Sequence, residues 1–474
     1  MNRRHFFLTL GLGATALAAT ATLARKQSSG SRPPRIVTTK TNAYLIGKIE
    51  PVLTGKIREV KPAPGGRYAL ITQDLRPEPT DDVKDPFGEE QLWLYDALRR
   101  TTKLLHRVQD NAVTQTRHTI QEIAWFPEAK KAVLQEMSVR MLPEGKMELS
   151  LNLGLVDVER PTVRWLASPF KQANSIFLAQ SIPGTPLLIF HELSATYEPT
   201  RQFCFLSPEG NFSSVIIVGE KGSMVPTGLS ADGKDVVFYE LIRTPREGET
   251  KPQREERWHS VRLGSTQVTP LKEKPGDMIA FNKLAPKVLP ITLHRSAAKL
   301  TSDSGRNAST NPIWLEATEP GLEKKFTRAL VTANSDDSFS RRSQLLPDLS
   351  AVLYTFDDAL YAAPIVSLDR LSFEKMMKEL AMRNSKQVGL GLMMYAQDYD
   401  ENLPHDPASV KEAIFPYIKN NDILADFVYT YSGPTNQSKI EKPSETALGY
   451  IPSPGGRAVI FADGHVKWEP TPTK

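Results

Sequence analysis

The sequence predicts a mainly β chain, a β-propeller of six blades with seven as the alternative count, followed by a small α+β unit. Three observations predict it. A turn, an apolar strand, and a second strand ending in a polar turn recur along the first three quarters of the chain. The 36 Pro and 28 Gly supply the punctuation that many short strands need. From Ser372 onward the apolar spacing changes to three and four, which is the period of a helix.

The most readable repeat is PAPGGRYALITQ from Pro62, continued by QLWLYDALRRTTKLL from Gln91. Further copies begin at Trp125, Ser181 and Leu229, with weaker ones near Leu284 and Leu346. Aligning the turn residues Pro64, Pro127, Pro183, Ala231, Pro286 and Pro347 gives spacings of 63, 56, 48, 55 and 61 residues. Each interval holds a four-stranded antiparallel blade with insertions, and radial repetition leaves only short edges. β-branched and aromatic residues dominate RYALIT and DVVFYELI, as strands require. A β-sandwich with long excursions is the competing architecture. Three long polar segments, 76–90, 243–257 and 295–312, all fall between the second and third strands of a repeat, which puts them on one face of a propeller. That face is the expected place for a partner, either an envelope protein or a glycan; tolerated surface insertion is the plain alternative.

The turn-then-strand pattern resembles the blades of TolB-like and dipeptidyl-peptidase-like propellers, where Ser-Pro-Asp-Gly precedes a strand. Ser230, Ala231, Asp232 and Gly233 are the closest copy, and Pro64, Gly65 and Gly66 a poorer one. The resemblance covers residues 40–366, and the propeller is read over 39–370.

The N-terminus, MNRRHFFLTLGLGATALAATATLA, joins the paired Arg3 and Arg4 to a moderately apolar stretch and small residues suited to cleavage after Ala21 or Ala24. It resembles a twin-arginine signal, which implies export of folded cargo to the periplasm or beyond. Thr and Gly interrupt the apolar stretch and no charged second flank follows, so no permanent membrane span is expected after cleavage, retention as an anchor being the alternative. Residues 25–38 read as a polar linker. Cys204 is the single Cys, which rules out an intramolecular disulfide. The net charge is +5 and falls to +3 without residues 1–24, too even a balance for nucleic acid.

In the last hundred residues, Phe373, Met376, Met377, Leu380, Asn384, Val388, Leu392 and Tyr395 predict a long helix capped by Ser372. A shorter helix is expected with Asp406 as N-cap, Pro407 at its first position and a stripe of Val410, Ile414 and Ile418. Asp463 and Gly464 between alternating apolar residues predict a hairpin with a type I′ turn. The stretches RNSKQVGLGLMMYAQDYDENLP from Arg383, KPSETALGY from Lys442 and GGRAVIFADGHVKW from Gly455 resemble the soluble head of prepilin-type, major-pseudopilin-like proteins. Two departures stand out: Ser453 occupies the position of the family's His, and RLSFEKMMKEL replaces the apolar membrane helix, so a conventional pilus core is not expected. The domain boundaries read from the sequence are therefore 1–24, 25–38, 39–370 and 371–474.

Little in the chain points to chemistry. GLSADG at Gly228 has Asp232 where the nucleophile elbow needs Gly, so Ser230 reads as a turn residue. The eight His form no metal-binding spacing, His191 beside Glu192 reads as structural, and His405 with His465 are too few for zinc. Asp398, Asp400 and Asn402 imitate the start of a calcium loop, but Leu403 stands where that loop needs Gly and no acid closes it. No catalytic residue, cofactor or metal is therefore expected, these three being the weak calcium candidates. The expectation is an exported, non-enzymatic binding or scaffolding protein of the bacterial envelope. The alternatives are a propeller hydrolase or lyase acting on carbohydrate, and an accessory of a type II secretion or pilus-like system.

Overall fold

The computed structural model describes residues 35–80, 83, 86–168, 176–182, 184–193, 199–218, 223–244, 253–281, 289–295, 312–319, 326–332, 335 and 343–471. The signal-like stretch 1–24, residues 25–34 of the linker and the turn residues Pro183 and Pro286 lie outside them. The chain is mainly β.

Between residues 36 and 369 the described strands form six antiparallel sheets. At the N-terminus, β1 (Ile36–Thr38), β2 (Asn42–Ile46) and β3 (Glu50–Thr54) come first and belong to the last of these. The first complete sheet is β4 (Ile57–Pro62), β5 (Tyr68–Asp74), β6 (Glu89–Asp96) and β7 (Thr101–Gln109), in that order. The second is β8 (Thr116–Trp125), β9 (Lys131–Met141), β10 (Met147–Asp157) and β11 (Thr162–Leu166). The third is β12 (Ile176–Ser181), β13 (Leu188–Leu193), β14 (Pro199–Leu206) and β15 (Ile216–Ile217). The fourth holds β16 (Ser223–Ser230), β17 (Asp235–Thr244), β18 (Gln253–Arg262) and β19 (Val268–Pro270), with β20 (Met278–Ala280) added beside β16. The fifth is β21 (Ile291–Arg295), β22 (Ile313–Ala317) and β23 (Arg328–Thr332). The closing sheet runs β24 (Gln344–Leu345), β25 (Ala351–Phe356) and β26 (Ala359–Asp369), and β26 then pairs along its length with β3 and β2. Ile36 thus starts a strand inside the stretch read as linker, because Ile36 and Val37 are apolar and Val37 is fully buried.

Five of the six aligned turns are present. Each closes with a backbone bond of i to i+3: Gly66 N to Ala63 O, Ala129 N to Phe126 O, Thr185 N to Ile182 O, Gly233 N to Ser230 O and Leu349 N to Leu346 O. In four of them the last residue takes a positive φ, at 81° for Gly66, 60° for Ala129, 72° for Gly233 and 61° for Leu349. The turns of neighbouring sheets meet. A Cβ on Gly66 would lie 2.1 Å from the backbone N of Asp348 in the closing sheet, and one on Gly65 would lie 3.1 Å from Cβ of Ala129 in the second.

The sheets pack face to face on their neighbours. Leu70, Leu92 and Leu94 of the first sheet pack with Ile120, Ile123 and Leu134 of the second. Val133 and Leu155 of the second pack with Phe190 and Leu206 of the third, and Ile189 and Phe203 of the third with Val236 and Phe238 of the fourth. The closing sheet packs both ways: Leu353 and Leu360 meet Ile71 and Tyr95 of the first sheet, while Tyr354 and Ile365 meet Ile313 and Leu315 of the fifth. Period-two alternation along each strand sends successive side chains to opposite neighbours, so the strands read as nearly continuous apolar runs.

Helix α1 (Arg370–Asp398) follows β26 directly. Its N-cap is Asp369, not Ser372, because the Asp369 carboxylate accepts from both the backbone N and the Oγ of Ser372 at 2.8 Å. The first turns of α1 lay Phe373, Met376 and Met377 on Ala43, Leu45 and Leu368. Beyond them the buried face consists of Ala381, Ser385, Val388, Gly389, Gly391, Leu392 and Ala396, whereas Leu380, Asn384 and Tyr395 of the expected stripe are only partly buried. Small residues are buried there because the helix lies close on β28 (Ala447–Ser453) and β29 (Gly456–Phe461).

Helix α2 (Val410–Ile418) starts later than expected, since Asp406 caps the preceding turn through the backbone N of Ala408 at 2.9 Å. A short α3 (Asn421–Ala425) and β27 (Val428–Tyr429) precede the sheet of β27, β28, β29 and β30 (Val466–Pro470). The β29–β30 turn is not type I′. Only Gly464 has a positive φ, 85°, and its N bonds Phe461 O while Phe461 N bonds His465 O, the pattern of a type I turn with a glycine bulge.

Gly66 and Gly233 occupy the same turn position, but a Cβ at Gly233 meets nothing within 4 Å. Gly233→Ala is expected to cost about 1–2 kcal/mol from the positive φ alone, and Gly66→Ala more than about 4 kcal/mol because backbone must move. Denaturant midpoints at constant m-value measure both.

Candidate functional site

In the first, second, fourth and closing sheets the second strand runs away from the repeated turn, so the connection to the third strand leaves from the opposite end. Segments 76–90 and 243–257 span the β5–β6 and β17–β18 connections, each between the second and third strands of its sheet, and segment 295–312 spans the β21–β22 connection, between the first and second described strands of the fifth sheet. Residues 81, 82, 84, 85, 245–252 and 296–311 of these segments lie outside the described residues.

The root of segment 76–90 is held by charge. Arg76 forks onto Asp110 through Nε at 2.8 Å and Nη2 at 3.1 Å, and also donates to the carbonyl of His118. Asp110, whose side chain is fully buried, accepts in addition from the backbone N of His118 at 2.8 Å and of Gly88 at 3.1 Å. Burial opposes its ionisation, but the Arg76 fork and the two N–H groups prevail and hold its pKa below the ordinary carboxylate value. Phe87, near the far end of the segment, lies under the Arg117 guanidinium at 4.7 Å.

Beside this root, the lower rim of the interface between the first two sheets is polar. Glu90 on β6 is fully buried, meets Arg58 of β4 at 2.8 Å and accepts from the backbone N of Ile120 at 2.6 Å. Burial is the larger influence there and lifts its pKa above the ordinary value despite Arg58. Glu136 on β9 takes His106 Nε2 of β7 at 2.9 Å and faces His118 Nδ1 of β8 at 3.5 Å. Burial again raises, but the His106 hydrogen bond and the charges of both imidazoles outweigh it, leaving the Glu136 pKa below the ordinary value. Trp165 stands edge-on to His106 at 5.1 Å. The sequence reading missed this cluster. Counting seven residues from the last residue of each repeated turn reaches Gln73, Glu136, Glu192, Glu240 and Phe356, a recurring carboxylate that the turn alignment contains.

The residues singled out from the sequence are not brought together. Asp398 accepts from Tyr417 Oη at 2.7 Å, and Asn402 turns its Nδ2 to the carbonyls of Tyr399 at 3.0 Å and Asp400 at 3.2 Å. Asp400 and Glu401 have φ of 52° and 63° and end the helix as a turn. Among the described residues no three of His, Cys, Asp and Glu are grouped to hold a metal. His405 is exposed, while His465 bonds Asp463 and stacks on Phe461 at 4.3 Å. The side chains of His191 and Glu192 lie outside the described residues. Ser453 is buried and its Oγ finds no hydrogen-bond partner. Ser230 donates to Asp232 at 2.6 Å and accepts from the backbone N of Asp235, the work of a turn residue. Burial pushes the Cys204 thiol up to about 12, far from a nucleophile's range. No described helix is long and apolar enough to cross a membrane.

No family model matches the chain, and no curated protein matches it. Among solved structures it is similar to a protein assigned as TolB from Agrobacterium tumefaciens, with 13% identity and a TM-score of 0.23 over 70% of this chain and 99% of that one. It is also similar to the β-propeller domain of the Trilobed protease from Pyrococcus furiosus, with 9% identity and a TM-score of 0.25 over 72% of this chain and 97% of that one. A third is an acylaminoacyl peptidase from Pyrococcus horikoshii, with 9% identity, a TM-score of 0.27 and 70% of this chain covered; the chain spans 51% of the peptidase. Likeness at these scores carries nothing about activity.

Two outcomes follow from the geometry. Asp110→Ala strands a largely buried Arg76 and is expected to cost about 3 kcal/mol in a denaturant titration. Millimolar calcium is expected to leave the melting temperature unchanged, because Asp398 and Asn402 are committed to Tyr417 and to backbone carbonyls.

Proposed function

We propose that residues 39–370 are a six-bladed, TolB-like propeller and that the protein is an exported, non-enzymatic binding or scaffolding protein of the bacterial cell envelope. Its partner, an envelope protein or a glycan, sits on the face that bears segments 76–90, 243–257 and 295–312. The observation that carries this reading is the root of segment 76–90: a buried Arg76–Asp110 fork holds a surface loop in place. A rigid scaffold presenting a pinned loop is how binding surfaces are commonly built. Residues 1–24 serve as a twin-arginine signal, and 371–474 form a pilin-head-like module. The support for both is the sequence: Arg3, Arg4 and the Ala-rich stretch for the first, and the runs from Arg383, Lys442 and Gly455 for the second.

The carbohydrate hydrolase or lyase keeps one observation in its favour. Glu90 and Glu136 share one rim and their pKa values are pushed in opposite directions, as in acid–base pairs. Against it, Glu90 has no exposed side-chain surface and is matched by Arg58.

The test is quantitative capture from envelope fractions and on glycan arrays by the full chain and by a variant in which residues 77–87 are replaced with a Gly-Ser linker. A ligand retained by the full chain and lost by the variant is the expected result. Equal retention by both removes the loop-face reading, and turnover of a glycan that Glu136→Gln abolishes replaces it with the carbohydrate enzyme. Cell fractionation of an Arg3→Lys, Arg4→Lys variant is expected to leave the protein in the cytoplasm.

A further inference from the structure

We propose that the seam between the first and second sheets is acid-sensitive, and that protonating Glu136 loosens the rim at which segment 76–90 is rooted. The inference rests on the loop-face reading for its consequence, release of a partner in acid, but not for its mechanism.

The geometry starts with Glu136 as the shared anion of two imidazoles. His106, on the outermost strand of the first sheet, and His118, on the first strand of the second, approach its two oxygens at 2.9 and 3.5 Å. The contact to His106 therefore crosses between sheets, and the contact to His118 reaches the loop root. The backbone N of His118 bonds Asp110 and its carbonyl accepts from Arg76. One residue thus links the side chain of Glu136 to the clamp on segment 76–90.

With Glu136 ionised, its charge lies between the two rings and one of its oxygens bonds His106 across the seam. With Glu136 protonated, that anion is lost from a rim that also holds Arg58 and Arg76, and the anions left are Asp74, Glu90 and Asp110, each engaged with an arginine. Glu136 has a folded pKa below the ordinary 4.5, so its stabilising contribution is complete above that value and is lost as pH falls through the folded one. Asp110 is depressed as well and keeps its charge into acid. Glu90 is raised by burial and acts in the opposite sense, so the difference between the wild type and a Glu136 variant is the quantity to read.

The equivalent place in the fourth sheet repeats the theme. Glu240, on β17, is 3.8 Å from His259 Nε2 on β18, and the His259 ring stacks on Phe238 with centroids 5.7 Å apart. Burial depresses the His259 pKa, with Glu240 opposing and Arg257 assisting, so the folded chain favours the neutral ring. Stability from that group is present above the ordinary 6.5 and is lost as pH falls. This second carboxylate–imidazole pair lies within one sheet, between the paired strands β17 and β18, and also weakens on acidification.

Hydrogen exchange of the full chain, corrected for intrinsic pH dependence, tests this without any partner. Between pH 7 and pH 3, peptides spanning 75–90 and 116–125 are expected to lose protection by roughly tenfold or more, with the loss falling below the ordinary carboxylate range, while those of β25 and β26 hold. Glu136→Gln is expected to show the reduced protection already at neutral pH, with a flat profile below it. If Glu136→Gln does not fold, His106→Gln, which replaces the ring that bonds Glu136 across the seam, is expected to shrink the acid-induced loss. Undiminished protection of the wild-type peptides at pH 3, or a variant that follows the wild-type profile, overturns the proposal. A seam that responds to pH with no ligand found on the loop face leaves this inference standing and removes only its consequence.

Discussion

The pairing of β26 with β2 and β3 is the constraint on which the rest of the structure depends. Stacked sheets always present a first and a last face and bare strand edges, and exposed edges recruit other chains. Here the strands that begin the described chain complete the sheet that ends the repeats. The closing sheet then packs Tyr354 and Ile365 on one neighbour and Leu353 and Leu360 on the other. Because Asp369 is both the last residue of β26 and the N-cap of α1, and Phe373 lies on Ala43 beside β2, the C-terminal helix is fastened to this closure rather than tethered by a linker.

Once the sheets are held face to face, the chemistry of the seams follows from what each strand must bury. Upper and middle positions of the inner strands are apolar, since both their faces meet a neighbour. Toward the end that bears the long connections, solvent comes within reach, and charge can be admitted if it is matched. Glu90 with Arg58, Asp110 with Arg76, and Glu136 with two histidines are the result. Breaking one partner of such a pair is far more costly than the pair is worth, which fixes the rim.

Much of the fold was legible because glycine and proline mark backbone positions locally. Pro64, Pro127, Ala231 and Pro347 mark turns whose bonds recur residue for residue, and the reading of Ser230 as a turn residue agrees with its bonds to Asp232 and Asp235. Closure was not legible, since the partners of β2 and β3 lie at the far end of the chain and period-two patterning carries no address. The long helix was legible as a helix and its stripe was legible in Phe373, Val388 and Leu392, but not in the small residues that pack closest. Apolar spacing favoured Met and Leu, whereas tight packing on β28 and β29 buried Ala381, Ser385 and Gly389. The Glu136 cluster was hidden for a third reason: its members come from three strands in two sheets, and only superposing the repeats places Glu136 and Glu240 in one column. In the run of Asp398, Asp400 and Asn402, Asp400 takes a positive φ and Asn402 turns back to the carbonyls of Tyr399 and Asp400, so the run ends the helix.

The most direct test of this account is a cross-link at the closure. Leu45 and Val366 are directly opposed partners of β2 and β26, at a separation that antiparallel neighbours share with disulfides. Cysteines introduced at both positions of the folded chain should oxidise to an intramolecular disulfide and raise the denaturation midpoint, because the bond closes a very long loop. Free thiols that persist under oxidation, or cross-linked dimers in place of the intramolecular bond, would contradict closure of the sheets by the N-terminal strands.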